Sequence, residues 1–312
     1  MTLNLKPYFR DLVMATIFFN SIFVKKIMMR LFNIPTVLVS VFLMSSCASK
    51  KTTNIVYQPT TVENASIAPK LNIFVPRKVN KAGAKVLIFV HGGNWNSGRK
   101  ETYNVLGRNF ARRGIITVIP DYTLSPAVNY DVMAQQIATV IEWTKKNIGQ
   151  YYGNTNQIFI TGHSAGGHLG ALAVMNPKYG VQPTSVAGII LNDAAGLDMK
   201  NYLEKYPPTN QDDYLATWTA DPEQWKAASP IYYVNAQTPP VLLYVGTKTY
   251  PSIIEGSQRF EKAIKAFQPE VQTIRLNKKH VPMVLQYFKP WSARFEEMIG
   301  FMNENSKERL SK

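Results

Sequence analysis

Residues 157–167 read Gln157-Ile158-Phe159-Ile160-Thr161-Gly162-His163-Ser164-Ala165-Gly166-Gly167. The first five form an apolar, β-rich run. Small residues at helical spacing follow, from His168 to Met175. Strand, tight Gly-x-Ser-x-Gly turn and helix are the setting of a nucleophile elbow. So sharp a turn tolerates almost no side chain on its flanks. Gly162, Ala165, Gly166 and Gly167 meet that demand and leave Ser164 at the apex, pointing out of the sheet. The bland alternative is a glycine-rich turn with an incidental serine.

Outward from this turn, strand and helix patterns alternate. Lys85–Val90 and Ile115–Pro120 are continuous apolar runs, which is how strands buried on both faces read. Leu71–Pro76 alternates and suits an outer strand. Residues 101–113 predict a helix with Val105, Leu106 and Phe110 on its apolar face. Residues 131–148 predict a longer one carrying Val132, Ile137, Val140, Ile141 and Trp143. Beyond the elbow come strands at Val186–Leu191, Pro240–Val245 and Val271–Leu276, with helices near 256–267 and 292–304. The rhythm breaks at 199–236, where Tyr202, Tyr206, Tyr214, Trp218, Trp225, Tyr232 and Tyr233 lie among Pro and Asp. This stretch reads as an aromatic-rich insertion over the sheet. The class is α/β, a mostly parallel doubly wound sheet with helices on both faces.

The chain has 312 residues, 46% hydrophobic and 18% charged, an ordinary globular balance. Net charge is +15, of which +4 precedes residue 47 (Lys6, Arg10, Lys25, Lys26 and Arg30 against Asp11). A basic surface suits a protein held near an anionic membrane. Nucleic acid is not expected as a partner, because the basic residues are scattered and no nucleic-acid motif is present. The single cysteine, Cys47, excludes an internal disulfide and a multi-cysteine metal site.

Lys25, Lys26 and Arg30 precede the apolar run Leu31–Met44, then Ser45, Ser46 and Cys47. That is a secretory signal by its basic, apolar and small-residue regions, and too short a run to favour a spanning helix. A cysteine after small residues resembles a bacterial lipobox, which implies lipidation at Cys47. A plain cleaved signal and an uncleaved anchor are the alternatives. Residues 1–27 look superfluous, since Met28 or Met29 would start a signal of usual length. The expected organisation is a signal segment at 1–47, a flexible tether at 48–68, a domain at 69–305 and a polar tail at 306–312. The expected place is the cell envelope, lipid-anchored and facing the periplasm rather than the cell surface.

A serine nucleophile needs a base, an orienting acid and donors for the developing oxyanion. Of the four histidines, His163 adjoins the serine on the same turn, so its side chain should point elsewhere. His168 reads as a packed or solvated helix residue. His280, after the last strand, can reach over Ser164 as general base. A surface histidine among lysines is its bland reading. His91-Gly92-Gly93-Asn94-Trp95 directly follows a buried strand. Its glycines let backbone N–H groups approach a carbonyl oxygen, so Gly92, Gly93 and the N–H of Ala165 are the expected oxyanion donors.

His91–Trp95 together with Gly162–His168 resembles the α/β-hydrolase superfamily, in the esterase branch of hormone-sensitive-lipase-like, kynurenine-formamidase-like and bacterial feruloyl/acetyl esterases. The resemblance spans roughly residues 70–304. Tyr122 in Asp121-Tyr122-Thr123-Leu124-Ser125-Pro126 echoes that branch, with Thr123 where arginine is usual. The branch implies an acid shortly after the seventh strand, but that segment is Gly246-Thr247-Lys248-Thr249-Tyr250-Pro251, with Thr249 in the acid's place. A resemblance to pancreatic-type lipases and some dehalogenases implies another solution, an acid ending the preceding strand. Asp193 stands there and is the first choice; Asp198, Glu255 or a Ser–His dyad are the alternatives, and a loop cap is the bland reading of Asp193.

The expectation is a serine hydrolase acting on a small-molecule carboxylic ester through an acyl-enzyme, without metal or cofactor. Amidase, formamidase or peptidase activity is the alternative within that mechanism. An inactive hydrolase fold serving as an envelope binding protein is the alternative from another class, motivated by the missing acid after the seventh strand.

Overall fold

The computed structural model describes residues 49–58 and 69–310. Eight strands make one sheet: β1 (Ser49–Val56), β2 (Lys70–Pro76), β3 (Ala84–Val90), β4 (Ile116–Pro120), β5 (Gly153–His163), β6 (Gly188–Asn192), β7 (Val241–Gly246) and β8 (Gln272–Leu276). Their order is β1-β2-β4-β3-β5-β6-β7-β8. β3 to β8 run parallel, whereas β1 and β2 pair antiparallel and close one edge.

The two-residue period of a strand decides the two cores. Val86, Ile88 and Val90 of β3 face one side, packed by α2 (Tyr130–Asn147), α3 (Ala165–Met175) and α7 (Pro251–Ile264). Leu87 and Phe89 face the other, packed by α1 (Asn104–Ala111), α8 (His280–Leu285) and α9 (Arg294–Leu310). Between β6 and β7 the aromatic insertion folds as α4 (Met199–Lys205), α5 (Tyr214–Trp218) and α6 (Pro222–Ala227). Six parallel strands send their carboxyl ends to one edge of the sheet, where open α/β sheets bind ligands. The loops after β3, β5, β6, β7 and β8 therefore meet there.

The α/β, doubly wound expectation holds, and the central strands fall where the apolar runs predict them. The edges differ. Ser49–Val56 is not a tether but β1, so the sheet takes in residues that precede 69. All residues of β1 but Ile55 and Val56 are polar, and its residues are half-buried or exposed, so no hydrophobic period marks it. Main-chain pairing with the free edge of β2 holds it, with the Asn54 N–H donating to Asn72 Oδ1 at 3.0 Å and Lys51 Nζ over the Phe74 ring. The polar tail expected from 306 is instead the end of α9, which runs to Leu310. Val105 is 40% exposed, off the apolar face assigned to it. The signal segment, Cys47 and residues 59–68 lie outside the described residues. Among the described residues no helix is long and apolar enough to cross a membrane.

Candidate active site

Ser164 stands between β5 and α3, as the residue that caps α3, at φ 55°, ψ −125°, a positive-φ conformation that costs a non-glycine residue about 1–3 kcal/mol. Backbone bonds over-determine it. The Ser164 N–H donates to the Asn192 carbonyl at 3.3 Å, and the Ser164 carbonyl accepts from Gly167, His168 and Ala195 at 3.0–3.2 Å. A Cβ on Gly162 would lie 2.3 Å from the Gly166 carbonyl carbon, and one on Gly166 would lie 2.1 Å from the Val90 oxygen. These two glycines are what allow the turn to close against β3.

The loop after β3 turns just as tightly. Gly93, Asn94 and Trp95 all have positive φ, and the Gly93 carbonyl accepts from Ser97 N–H at 2.9 Å and from Ser97 Oγ at 2.8 Å. His91 beneath it is fully buried and stacked on Tyr122, with centroids 4.5 Å apart; burial pushes its pKa down. The Tyr122 hydroxyl donates to the His91 carbonyl at 3.1 Å. Gly92 and Gly93 line the same cleft as Ser164. Tyr103, a residue that sequence reasoning missed, lines it too. Ala165 opens α3, so its N–H has no acceptor within the helix. Gly92, Gly93 and Ala165 thus stand beside the serine as candidate donors.

His280 does not sit on an open loop: it is the first residue of α8, held beside the carboxyl ends of β6 and β7. Its Nδ1 lies 2.6 Å from Asp193 Oδ2. Asp193 follows β6 at φ 51° and is fully buried, and its Oδ1 accepts the Gly246 N–H at 2.8 Å. Thr249 Oγ1 donates to Asp193 Oδ2 at 2.5 Å. The other carboxylates are engaged elsewhere. Asp198 caps α4 through the Asn201 N–H at 3.1 Å and takes Arg259 Nε at 2.6 Å. Glu255 accepts from Lys205 Nζ at 2.5 Å and from Asn201 at 2.9 Å. No hydrogen bond joins Ser164 Oγ to His280, and such bonds are commonly long before a substrate is bound.

His163 packs against His280. Its Nε2–H donates to the His280 carbonyl at 3.1 Å, and the two rings lie 4.4 Å apart. Burial first, then the neighbouring His280, push its pKa down to about 4, so it stays neutral beside His280. His163, Asp193 and His280 bring three metal-ligand atoms within 4.8 Å, but each group already has a protein hydrogen-bond partner. His168 is a buried pin. Its Nδ1 accepts from Trp95 Nε1 at 3.1 Å, and its Nε2–H donates to the Ala228 carbonyl at 2.7 Å, tying the loop after β3 to the insertion. Burial pushes its pKa down to about 4 as well.

These two histidines make a pH prediction. Both are neutral when folded and take a proton when unfolded, below the ordinary 6.5. Their stabilisation is complete above that pH and is lost as pH falls toward about 4. In urea titrations from pH 7 to 4.5, His168→Gln should flatten the loss by roughly 1.4 kcal/mol per pH unit, one proton's worth. Parallel curves for the two proteins would contradict this.

The cleft over Ser164 and His280 encloses about 1000 Å³. Tyr103 and Tyr250 line it, together with Tyr202, Tyr206 and Tyr214 of the insertion. The insertion's tryptophans serve otherwise: Trp218 is fully buried, stacked on Tyr130 and edge-on to Trp95, and Trp225 is buried too.

The family model described as BD-FAE matches residues 71–264. The chain belongs to the BD-FAE family. Its match takes in the elbow, the loop after β3 and Asp193, and stops short of His280. Esterase LipQ of Mycobacterium tuberculosis is 30% identical over 197 residues, 58% of this chain and 46% of that protein. Esterase LipC of the same organism is 28% identical over 213 residues, 64% of this chain and 53% of that protein. The chain thus spans about half the length of these curated relatives. Among solved structures, esterase B from Lactobacillus rhamnosis superposes with a TM-score of 0.68 at 20% identity, covering 84% of this chain and 87% of that one. This likeness carries the α/β-hydrolase fold.

Proposed function

We propose that this BD-FAE member is a serine hydrolase of carboxylic esters. The observation that carries the reading is the 2.6 Å contact between the buried Asp193 carboxylate and Nδ1 of His280, which lines the same cleft as Ser164. Asp193 holds the Nδ1–H tautomer, which leaves Nε2 as the base that takes the Ser164 proton. Ser164 Oγ attacks the ester carbonyl, and the Gly93 and Ala165 N–H groups, with Gly92 alongside, receive the oxyanion. His280 then protonates the leaving alcohol, and water resolves the acyl-enzyme along the same path. The two relatives named esterases agree with this reading. The inactive binding-protein reading drew on a missing acid, and Asp193 supplies a carboxylate to the base. Hydrolysis of p-nitrophenyl esters across acyl lengths tests the proposal. Turnover at some length is expected, and none above background at any length would end it.

For location, the reading is a lipoprotein modified at Cys47 and held in the cell envelope, supported by the basic, apolar and small-residue pattern before that cysteine. β1 begins at Ser49, two residues on, so a lipid there would have almost no tether. Ser49 pairs with Pro76, and Leu71 of the same strand pairs with Pro120, the carboxyl end of β4. Ser49 is therefore at the sheet end opposite Ser164, and a lipid attached there would leave the cleft turned to the aqueous side. Wild type should pellet with membranes and Cys47→Ala should not; a wild type that stays in the supernatant sinks the reading.

A further inference from the structure

Thr249 has no place in the mechanism above, yet it touches two of its members. Its Oγ1 donates to Asp193 Oδ2 at 2.5 Å and lies 3.3 Å from His280 Nδ1. The turn that carries it is fixed from several sides. The Thr249 N–H reaches the Gly246 carbonyl at 3.3 Å, the Thr247 N–H the Leu276 carbonyl at 2.8 Å, and the Lys248 N–H the Lys278 carbonyl at 3.1 Å. Position 249 is thereby held against both β8 and the segment that leads to His280. The adjacent Gly246 N–H binds the other oxygen of the same carboxylate. Asp193 is thus gripped on both oxygens by the end of β7 and the loop after it, from a strand it does not belong to.

We infer that Thr249 is the positioning residue for Asp193, and that position 249 can itself carry the acid of this site. The inference rests on the serine-hydrolase reading. Its first half follows from the shared oxygen: Oδ2 meets both the Thr249 hydroxyl and Nδ1–H, so the hydroxyl fixes the carboxylate's rotation about its own bond and aims Oδ2 at the imidazole. Its second half follows from length. An aspartate places its carboxyl carbon about where threonine has Oγ1, and its oxygens one bond further. From 3.3 Å, a carboxylate at 249 reaches Nδ1 within ordinary hydrogen-bond distance, provided the carboxylate of residue 193 has vacated the space between.

Four variants assayed on a p-nitrophenyl ester test this. Thr249→Val keeps the shape and removes the donor, so kcat should fall about 10- to 100-fold, the range of a hydrogen bond to a charged group, with KM little changed. Thr249→Ser should restore kcat to near wild type, which a mere packing role would not do. A wild-type kcat in Thr249→Val removes the positioning role. Asp193→Ala should lose about 10⁴-fold, and Asp193→Ala/Thr249→Asp should regain at least about tenfold over it. A double variant that melts cooperatively and is no faster than Asp193→Ala removes the second half. If that pair does not fold, Asp193→Ser/Thr249→Asp leaves a hydroxyl for the Gly246 N–H and makes the same comparison. A wild type with no Ser164-dependent turnover sinks the hydrolase reading instead, which keeps the two failures apart.

Discussion

Replacing Ser164 with alanine is expected to lower kcat on p-nitrophenyl esters by about 10⁶-fold, with the fold unchanged. A triad's members act as one unit, so loss of the nucleophile removes almost the whole covalent route, and only the oxyanion donors and binding remain. The substitution deletes one oxygen at a residue that is 9% exposed, and leaves every backbone bond that holds the elbow. Stability should stay level or rise slightly if the strain at φ 55° eases. Measured kcat and melting temperature together check this. A variant retaining more than about a thousandth of the wild-type rate would place the chemistry elsewhere.

The second large effect is expected for Asp193→Asn, about 10⁴-fold in kcat with KM near wild type. Its sign comes from the hydrogen bonds. Oδ1 accepts the Gly246 N–H and must stay a carbonyl oxygen. The amide NH₂ then takes the place of Oδ2 and faces His280 Nδ1. Nδ1 becomes an acceptor, the ring proton moves to Nε2, and His280 can no longer take the serine's proton. Asp193 is fully buried and does not line the cleft, so substrate affinity is spared. An unaffected kcat would remove Asp193 from the mechanism, and equal losses in kcat/KM through KM alone would recast it as part of the pocket.

What was legible in the chain divides by how local its cause is. The elbow is local: a turn in which a Cβ on Gly166 would lie 2.1 Å from the Val90 oxygen can be built from very few residues, so its sequence announces it. The six parallel strands are legible because burial on both faces leaves long apolar runs. β1 is not, because an edge strand draws its stability from pairing with β2 and needs no apolar face of its own. Asp193 could be ranked from its place at the end of β6, but Asp198 and Glu255 could be set aside only by finding Arg259 and Lys205 beside them. His163 and Thr249 were the least legible. Their partners lie 117, 56 and 31 residues away in sequence, and only the meeting of the loops after β5, β6, β7 and β8 brings them together.

The role proposed for Ser164 is that of a nucleophile activated by His280 and Asp193. Its most direct test is covalent: incubation with a fluorophosphonate, followed by intact mass and peptide mapping. One adduct per chain is expected, on Ser164, formed fast in wild type and slowed by orders of magnitude in Asp193→Asn. A wild type that stays unmodified, or an adduct mapped to any other residue, would contradict it.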